Sequence, residues 1–393
     1  MALTMKEKKA VTRETAKRYQ RAHKREKSKI LDEFIKTTGY SRWYARYILR
    51  NWERKIILRT QTGGEIILIG DRRKKVKRHK ERVYNQKVLT ALKKIWHICD
   101  FICGKRLAPY LEVIVPILEK YGEIFLDKET REKLLKISAA TVDRLLVTER
   151  KKLQIKGKSG TKPGTLLKNQ IPIRTFSDWD EKRPGFVEID LVGHDGGNIQ
   201  GEYTQTLDVT DVYSAWTETM AIRNKAQIWT FNALKEIREK FPFKILGIDS
   251  DNGSAFINNH LKKFCENNKI TFTRSRPYRK NDNCFVEQKN YSVVRRSVGY
   301  YRYDTEKELE VLNQLYESLR LYTNFFQPVM KLMEKQRIGS KVKKKYDIAK
   351  TPFQRLCQSC FIPVEVKEKL KREYEKLNPA EIKRTITKLQ NKL

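Results

Sequence analysis

The sequence has no long apolar run. No stretch approaches the ~20 consecutive apolar residues of a membrane-spanning helix, and the opening residues, MALTMKEKKAVTRET, lack the apolar segment of a secretory signal. Acidic residues are also scarce, with 47 Asp and Glu against 84 Lys and Arg. The lack of a long apolar run and of a secretory signal predicts a soluble, intracellular protein that does not associate with a membrane.

Cysteine and histidine patterns typical of zinc sites are almost absent. Six cysteines are scattered through 393 residues, which favours reduced thiols over a disulfide framework. Cys357 and Cys360 form a single C-x-x-C, with no second C-x-x-C or H-x-x-x-H beside it. The five histidines are dispersed, so the sequence gives little support to a zinc module.

Positive charge dominates what is present. The formal net charge is +37 at pH 7, and the Lys and Arg residues are clustered. Such an excess is typical of proteins that neutralise nucleic-acid phosphates, although a lysine-rich host composition would also raise it. Because 39% of the residues are hydrophobic, folded cores are expected, and the length predicts two to four domains.

Residues 1–70 have the pattern of a helix-turn-helix DNA-binding module. The segment KSKILDEFIKTT has apolar residues at helical spacing, Gly39 marks a turn, and Ser41 can cap a second helix. Three arginines on that helix are candidate DNA contacts: Arg42, Arg46 and Arg50. A helical hairpin without DNA contacts is the alternative.

Residues 71–155 predict a second helical module behind a basic linker. The run RRKKVKRHKER suits either a solvated linker or a segment that follows a phosphate backbone. Further on, Ser138 can cap a short helix, which suggests a second helix-turn-helix or winged-helix unit. Its candidate DNA contacts are Arg144 and residues 150–152. Residues 156–180, rich in Gly, Pro and Lys, predict an extended linker.

Residues 181–303 predict an α/β catalytic core with a mixed five-stranded sheet. Runs rich in Val, Ile, Thr and aromatic residues predict its strands, at 186–192, 202–210, 214–221, 243–250 and 270–275. Helical patterns fall between and after them, at 225–240, 255–268 and 283–298. Residues 304–393 predict a helical and basic C-terminal region.

Three acids stand out in the core. Asp190 lies near the end of the first strand, in FVEIDLV, and Asp251 follows the fourth strand, in GIDSDNGSAF. Glu287 lies in the last helix, 35 residues after Asp251. Since sites in open α/β sheets form at the carboxyl ends of strands, the three carboxylates are predicted to converge. Taken singly, Asp251 is ordinary turn material and Glu287 an ordinary surface glutamate.

The segments EIDLVG, DSDNGSAF and NDNCFVEQKN resemble the catalytic core of the DDE transposase and retroviral integrase superfamily, which has a ribonuclease-H-like fold. The stretch YTNFFQPVMKL is similar to one that follows the core in many bacterial insertion-sequence transposases. The resemblance implies that Asp190, Asp251 and Glu287 are catalytic and bind two Mg²⁺ ions, with Mn²⁺ as a substitute.

The resemblance also implies an activity and partners. It implies a transposase that binds terminal repeats in double-stranded DNA, cleaves there and transfers the 3′-OH ends into target DNA. A homo-oligomer is implied, since two transposon ends must be brought together, and a cytoplasmic, nucleoid-associated location follows. Two metal ions suit the in-line displacement of a phosphodiester, and three carboxylates favour Mg²⁺ over zinc.

Further residues near the acids are candidate helpers. Basic residues and one tyrosine are predicted to hold DNA beside the scissile phosphate, namely Arg276, Tyr278, Arg279, Lys280, Lys289 and Arg295. Tyr278 is equally suited to stacking on a base or packing its loop. Asn252 and Asn283 are candidates for orienting the carboxylates.

Alternatives remain for both residues and function. Glu188, Asp249 and His194 are rival acids or helpers beside the triad. A ribonuclease-H-like nuclease that cuts without joining is the rival enzyme. A helix-turn-helix regulator, in which the acids merely occupy turns and helix surface, is the rival without enzymatic activity.

Overall fold

The structure is a computed structural model in which the chain divides into two compact units, Met1–Arg82 and Val83–Leu393. The described residues are 3–60, 63–69, 83–152, 182–251, 253, 255–256, 258–275 and 283–393, with backbone alone for 54–60 and 63–69. The basic run before residue 83 and the linker predicted for 156–180 lie outside this set.

The first unit begins with three described helices, α1 (Met5–Arg21), α2 (Lys24–Thr38) and α3 (Arg42–Arg50). Their apolar faces share a small core, which includes Ala16, Ile30, Leu31, Phe34, Ile48, Leu49 and Trp52. Gly39 ends α2 in the left-handed region (φ 67°), and the Ser41 hydroxyl accepts a hydrogen bond from the Tyr44 backbone N–H (3.4 Å) at the start of α3.

An antiparallel hairpin, which the sequence patterns did not predict, follows the helices. Its strands are β1 (Arg54–Thr60) and β2 (Gly63–Ile69). The runs KIILR and EIILI account for it, because β-branched residues favour strands.

The second unit contains the mixed five-stranded sheet that the sequence predicted. Its strand order is β5-β4-β3-β6-β7, with β3, β4 and β5 antiparallel and β6 and β7 parallel to β3. The strands are β3 (Phe186–Gly193), β4 (Gln205–Asp211), β5 (Thr217–Ile222), β6 (Gly247–Ser250) and β7 (Thr271–Arg274). Each overlaps a predicted strand, although β6 is shorter.

Helices cover this sheet and continue beyond it. Those within the predicted core are α9 (Gln227–Lys240), α10 (Asn259–Asn267), α11 (Cys284–Lys289) and α12 (Arg296–Val298). Asn290–Arg295, between α11 and α12, is π-helical. After the core come α13 (Glu306–Phe326), the hairpin β8 (Leu332–Ile338) and β9 (Lys341–Tyr346), α14 (Pro352–Gln358), α15 (Val364–Tyr374) and α16 (Pro379–Gln390).

The helices before the sheet pack with those after it. They are α4 (Gln86–Ile98), α5 (Gly104–Lys120), α6 (Lys128–Leu135), α7 (Ala139–Leu145) and α8 (Val147–Lys152). One hydrophobic core contains residues from these helices, the sheet and α13–α16. Polar contacts join the same parts: Arg106 Nε donates to the Pro328 carbonyl (2.5 Å), and Lys383 pairs with Asp100 (2.7 Å). The segment predicted as a separate module over 71–155 is therefore built into the second unit from Val83 onwards.

No helix in the described parts of the chain has the combination of length and apolar character needed to cross a membrane.

Candidate active site

Four acidic side chains form a row on one face of the sheet. Asp190 lies directly opposite Asp208 on β4, and Glu188 lies beside Asp249 on β6. Because paired residues share a face and residues two apart on a strand do too, the order across the sheet is Asp208, Asp190, Glu188, Asp249. Glu188, Asp208 and Asp249 are fully buried. We call these four residues the acidic row.

The first turns of α11 satisfy the middle of this row. The backbone N–H groups of Phe285 and Val286 both donate to Glu188 Oε2 (2.8 Å each). Asn290, one residue beyond α11, donates from Nδ2 to Asp190 Oδ2 (2.6 Å). Helix α11 is therefore attached to β3 by N–H groups of its first turn, which have no partners within the helix.

The two ends of the row also have partners from this segment. With its amide nitrogen facing the carboxylate, Asn283 donates to Asp249 Oδ2 (3.0 Å) and accepts from the Asp251 backbone N–H (3.1 Å). At the other end, Lys289 is buried and its charge interacts with that of Asp208. We call residues 283–290 the donor segment, because it donates hydrogen bonds to Glu188, Asp190 and Asp249 and places the charge of Lys289 near Asp208.

Burial sets the charge state of these groups. It raises the pKa of Glu188 well above its usual value, with the nearby Asp249 acting in the same direction. It also raises the pKa of Asp208 and lowers that of Lys289, while each partner's charge opposes the shift. The two backbone hydrogen bonds to Glu188 act against this rise, because they stabilise its charged form.

Asp251 lies where the chain leaves β6. Its Oδ1 accepts a hydrogen bond from the Gly253 backbone N–H (2.8 Å). A Cβ at Gly253 would lie 2.8 Å from that same oxygen. Gly253 therefore lies in close contact with the carboxylate of Asp251, which an added methyl group would have to displace.

Glu287 lies on the exposed side of the donor segment, next to the exposed Gln288. Val286 and Lys289 on either side are buried, whereas Glu287 faces solvent. Burial, followed by the charge of Asp251, raises the pKa of Asp190 to about 7, and Glu287 adds to the rise. The structure thus brings the three acids predicted from the sequence into one electrostatic neighbourhood.

The carboxylates of Asp190, Asp251 and Glu287 have the chemistry of magnesium ligands. Carboxylate oxygens are the ligands that hard divalent cations prefer, and the repulsion between acids at Asp190 is what a bound cation relieves. Asp190 is also oriented, since its Oδ1 accepts from the Leu191 backbone N–H (2.8 Å). In the described parts of the chain no three His, Cys, Asp or Glu side chains already meet at metal-binding distances.

The predicted DNA contacts have different surroundings. Arg276, Tyr278, Arg279 and Lys280, like Asn252, lie outside the described residues. Lys289 is inside the fold, so its side chain does not offer its charge to DNA.

Arg295 also makes internal contacts. It donates to the Gly193 carbonyl (2.7 Å) and stacks over Tyr300 at 4.7 Å. Its guanidinium joins the end of β3 to the turn after α12. Sequence spacing indicated a basic group here, but not that the backbone would use it.

The helix-turn-helix arginines differ from one another. Arg42 pairs with Asp32 of α2, so it fastens α3 to its neighbour. Arg46 and Arg50 are exposed on α3 and make no ion pair within the described residues. Arg144 is exposed on α7 and donates to Thr141 Oγ1 (2.9 Å).

Two features escaped the sequence patterns. Asp208 lies mid-strand in QTLDVTD, and an acid among buried residues was the available signal for a partner. Asn290 gave no signal, because its role depends on the helix register over β3. His194, a rival helper, is buried against Thr206 (2.7 Å), which in turn contacts the Tyr316 hydroxyl (2.7 Å).

Comparison with known proteins shows which family the chain resembles. Residues 180–280 match the family model of the integrase core domain. The chain is 38% identical over 340 residues to "Uncharacterized protein y4rM" of Sinorhizobium fredii (strain NBRC 101917 / NGR234), covering 86% of this chain and 91% of that protein.

Solved structures with a similar fold are catalytic cores of integrases. The BIV integrase core is 16% identical, with a TM-score of 0.30, covering 43% of this chain and 91% of that one. The HTLV-2 integrase core in complex with magnesium is 15% identical, with a TM-score of 0.29, covering 37% and 90%. On its family model and its relative, the chain belongs to the y4rM family of integrase-core proteins, within the DDE transposase and retroviral integrase superfamily.

Proposed function

We propose that this protein is a DNA transposase in which Asp190, Asp251 and Glu287 hold the catalytic metal ions. One observation carries the proposal: Asp190 is on β3, Asp251 follows the adjacent strand β6, and Glu287 is on α11, which is hydrogen-bonded to β3. Burial, followed by the charges of Asp251 and Glu287, raises the pKa of Asp190. Neither a regulator nor a purely structural α/β domain requires three acids from distant segments to repel one another.

Neighbouring residues of the chain would orient the carboxylates for metal binding. The Leu191 backbone N–H and the Asn290 amide fix the carboxylate of Asp190. Asn283 ties the Asp251 backbone to Asp249, and Gly253 leaves room for the Asp251 carboxylate. When bound, two Mg²⁺ ions would activate a water or 3′-OH nucleophile and stabilise the leaving oxygen.

The triad is tested by neutral, nearly isosteric substitutions. In Asp251→Asn and Glu287→Gln, Mg²⁺-dependent cleavage of terminal-repeat DNA should fall by at least about a thousandfold, since ion binding and charge stabilisation are lost. DNA affinity should stay within about threefold. Glu310→Gln, on the exposed surface of α13, is the matched control and should keep full activity. Normal cleavage in Glu287→Gln would remove that residue from the site.

Joining activity separates a transposase from a nuclease. With a terminal-repeat oligonucleotide and a supercoiled plasmid, a transposase should form a covalent joint between the oligonucleotide 3′ end and plasmid DNA. Cleaved oligonucleotide without any joint product, under conditions that support cleavage, would favour the nuclease. Binding with no metal-dependent chemistry would favour the regulator.

We assign recognition of the terminal repeats to α3. The outward side of this helix carries Arg46 and Arg50 next to Trp43 and Tyr47, whose rings stack at 5.6 Å while remaining 75% and 46% exposed. Exposed aromatic rings beside arginines suit base edges and thymine methyl groups in a major groove. The Arg46→Gln/Arg50→Gln variant should lose preference for terminal-repeat over random DNA. Lys6→Gln/Lys9→Gln, on exposed positions of α1, should retain it.

Assembly and location are part of the proposal. A transposase must hold two transposon ends together, so the protein should form a dimer or larger oligomer on terminal-repeat DNA, in the cytoplasm and on the nucleoid. Sedimentation with and without that DNA measures the change. A single protomer bound to each DNA molecule at all concentrations, together with efficient joining, would contradict it.

A further inference from the structure

The β8–β9 hairpin is an isolated, exposed ribbon. Its strands pair from Leu332 opposite Tyr346 to Ile338 opposite Lys341. From Met333 to Tyr346 every side chain is exposed. A two-stranded hairpin is marginally stable in water, and this one has no apolar face of its own to bury. We call residues 332–346 the basic ribbon.

The basic ribbon concentrates charge of one sign. Six of its fifteen residues are basic and one is acidic. The cations are Lys335, Arg337, Lys341, Lys343, Lys344 and Lys345. None of them forms an ion pair within the described chain, and Lys335 lies directly opposite Lys344, an arrangement that destabilises a hairpin by itself.

The base of the ribbon is held firmly. Asp347 Oδ1 accepts from the Lys331 backbone N–H (2.6 Å), and Arg355 pairs with Asp347 (2.7 Å) and donates to the Val329 carbonyl (2.9 Å). Lys331 Nζ donates to the carbonyl of Tyr213, in the turn between β4 and β5 (2.6 Å). An ordered base presenting a repulsive, unpaired ribbon is the arrangement expected of a surface completed by an anionic ligand.

We propose that the basic ribbon binds duplex DNA through its phosphates and without regard to sequence. Five of the six cations are lysines, which act as point charges and lack the fork with which arginine reads guanine. Register places Lys341, Lys343 and Lys345 on one face and Lys335, Arg337 and Lys344 on the other. A groove has phosphates along both walls, and the major groove, about 12 Å wide, admits a two-stranded ribbon.

Other occupants fit less well. A second copy of the ribbon would bring six further cations against these six, which raises the repulsion. A membrane surface would meet one face of a flat ribbon and leave the opposite cations unpaired, and single-stranded RNA offers only one phosphate backbone. The ligand class rests on the proposed function, since a strand-transferring core must hold duplex DNA that carries no terminal repeat.

The test measures equilibrium binding of the full chain to a short random-sequence duplex, without divalent metal, over a range of salt concentrations. The variants are Lys341→Gln/Lys343→Gln/Lys345→Gln and Lys335→Gln/Arg337→Gln/Lys344→Gln, one for each face. The matched control is Lys369→Gln/Lys371→Gln/Lys376→Gln, which removes the same charge from exposed positions in and after α15. Thermal unfolding accompanies each variant.

Each ribbon variant should bind the duplex about tenfold more weakly at low salt, and the slope of log K against log salt should decrease by about 0.9 for each phosphate that the variant no longer neutralises. The control should bind like the parent. Equal weakening in the control, or unchanged duplex binding with weakened binding to RNA or to anionic vesicles, would overturn the proposal. The assay contains neither metal nor terminal repeat, so a result that rules out the catalytic triad does not change its outcome. If the protein proves to be an active transposase and the ribbon variants bind the duplex normally, only the ribbon proposal is rejected.

Discussion

At the scale of single residues, Glu287 lies on the exposed side of α11 together with Gln288. The donor segment turns Asn283, Val286 and Lys289 inward and leaves Glu287 outward. Sequence spacing identified this glutamate, but strand alternation alone did not separate Asp190 from Glu188, which shares its strand face. The structure gives Glu188 a different task, because its carboxyl is buried under the start of α11.

Gly253→Ala should impair catalysis without unfolding the protein. The new methyl group would lie 2.8 Å from Asp251 Oδ1 and displace that carboxylate. We expect cleavage to fall roughly tenfold to a hundredfold, the range that about 1 Å of misplacement costs. Single-turnover cleavage and thermal unfolding measure the two effects. Unchanged cleavage with a lowered melting temperature would mean that the glycine serves the turn and not the carboxylate.

His194 should make the fold sensitive to acid. Burial, with a smaller effect of Arg295, lowers the pKa of His194 from 6.5 to about 3. The unfolded chain therefore binds a proton between these values that the folded chain does not. The free energy of unfolding is therefore unaffected by this histidine above about pH 6.5. It decreases by about 1.4 kcal/mol per pH unit as the pH falls from there towards 3.

Denaturant unfolding at pH 7.5 and 5.5 tests this contribution. The parent should lose more unfolding free energy between the two pH values than His194→Gln, which has no titrating ring. An equal loss in both proteins would place the acid sensitivity elsewhere.

At the scale of elements, sequence patterns predicted the sheet well because alternation and turn residues are local signals. All five strands and the positions of α9 and α10 follow the patterns. The hairpin of β1 and β2 was not predicted. The break of the last predicted helix into α11, a π-helical segment and α12 was also missed, since it reflects how Asn290 and Lys289 meet the sheet.

Glu188 should position α11 as a hydrogen-bond acceptor. Glu188→Gln keeps an acceptor oxygen for the Phe285 and Val286 N–H groups. This variant should retain most cleavage activity. Glu188→Ala should lose about 3 kcal/mol of unfolding free energy, because it leaves buried donors unpaired, and should lose activity as well.

Asp190→Asn provides the contrast, since it should lose metal-dependent cleavage while staying folded. Isothermal titration with Mg²⁺ should detect binding in Glu188→Gln and weakened binding in Asp190→Asn. The reverse order would transfer the metal-binding role to Glu188.

At the scale of the whole molecule, the second unit is held together by one hydrophobic core to which helices before and after the sheet both contribute. The sequence patterns predicted helical regions over 71–155 and 304–393 but gave no indication that their helices share one core with the sheet. Contacts such as Arg106 with Pro328 join residues more than two hundred positions apart. Patterns within short windows carry no information about such pairs.

Phe34→Ala should unfold the first unit and leave the second intact. Phe34 is 2% exposed in the small core of α1–α3, and its truncation should cost about 3–5 kcal/mol. Calorimetry should show one transition shifted down and the other unchanged. Terminal-repeat binding should be lost with the first transition. A shift of both transitions would show that the units unfold together.

The pairing between the acidic row and the donor segment has a consequence for chain length. Three of the acids accept hydrogen bonds from these eight consecutive residues, and Asp208 interacts with the charge of Lys289 in the same stretch. Sliding the stretch by one position would therefore disturb all four interactions at once. An insertion or deletion within residues 283–290 should be far more damaging than any single substitution there. Descendants of this sequence should therefore vary in the identity of Cys284 or Gln288 long before they vary in spacing.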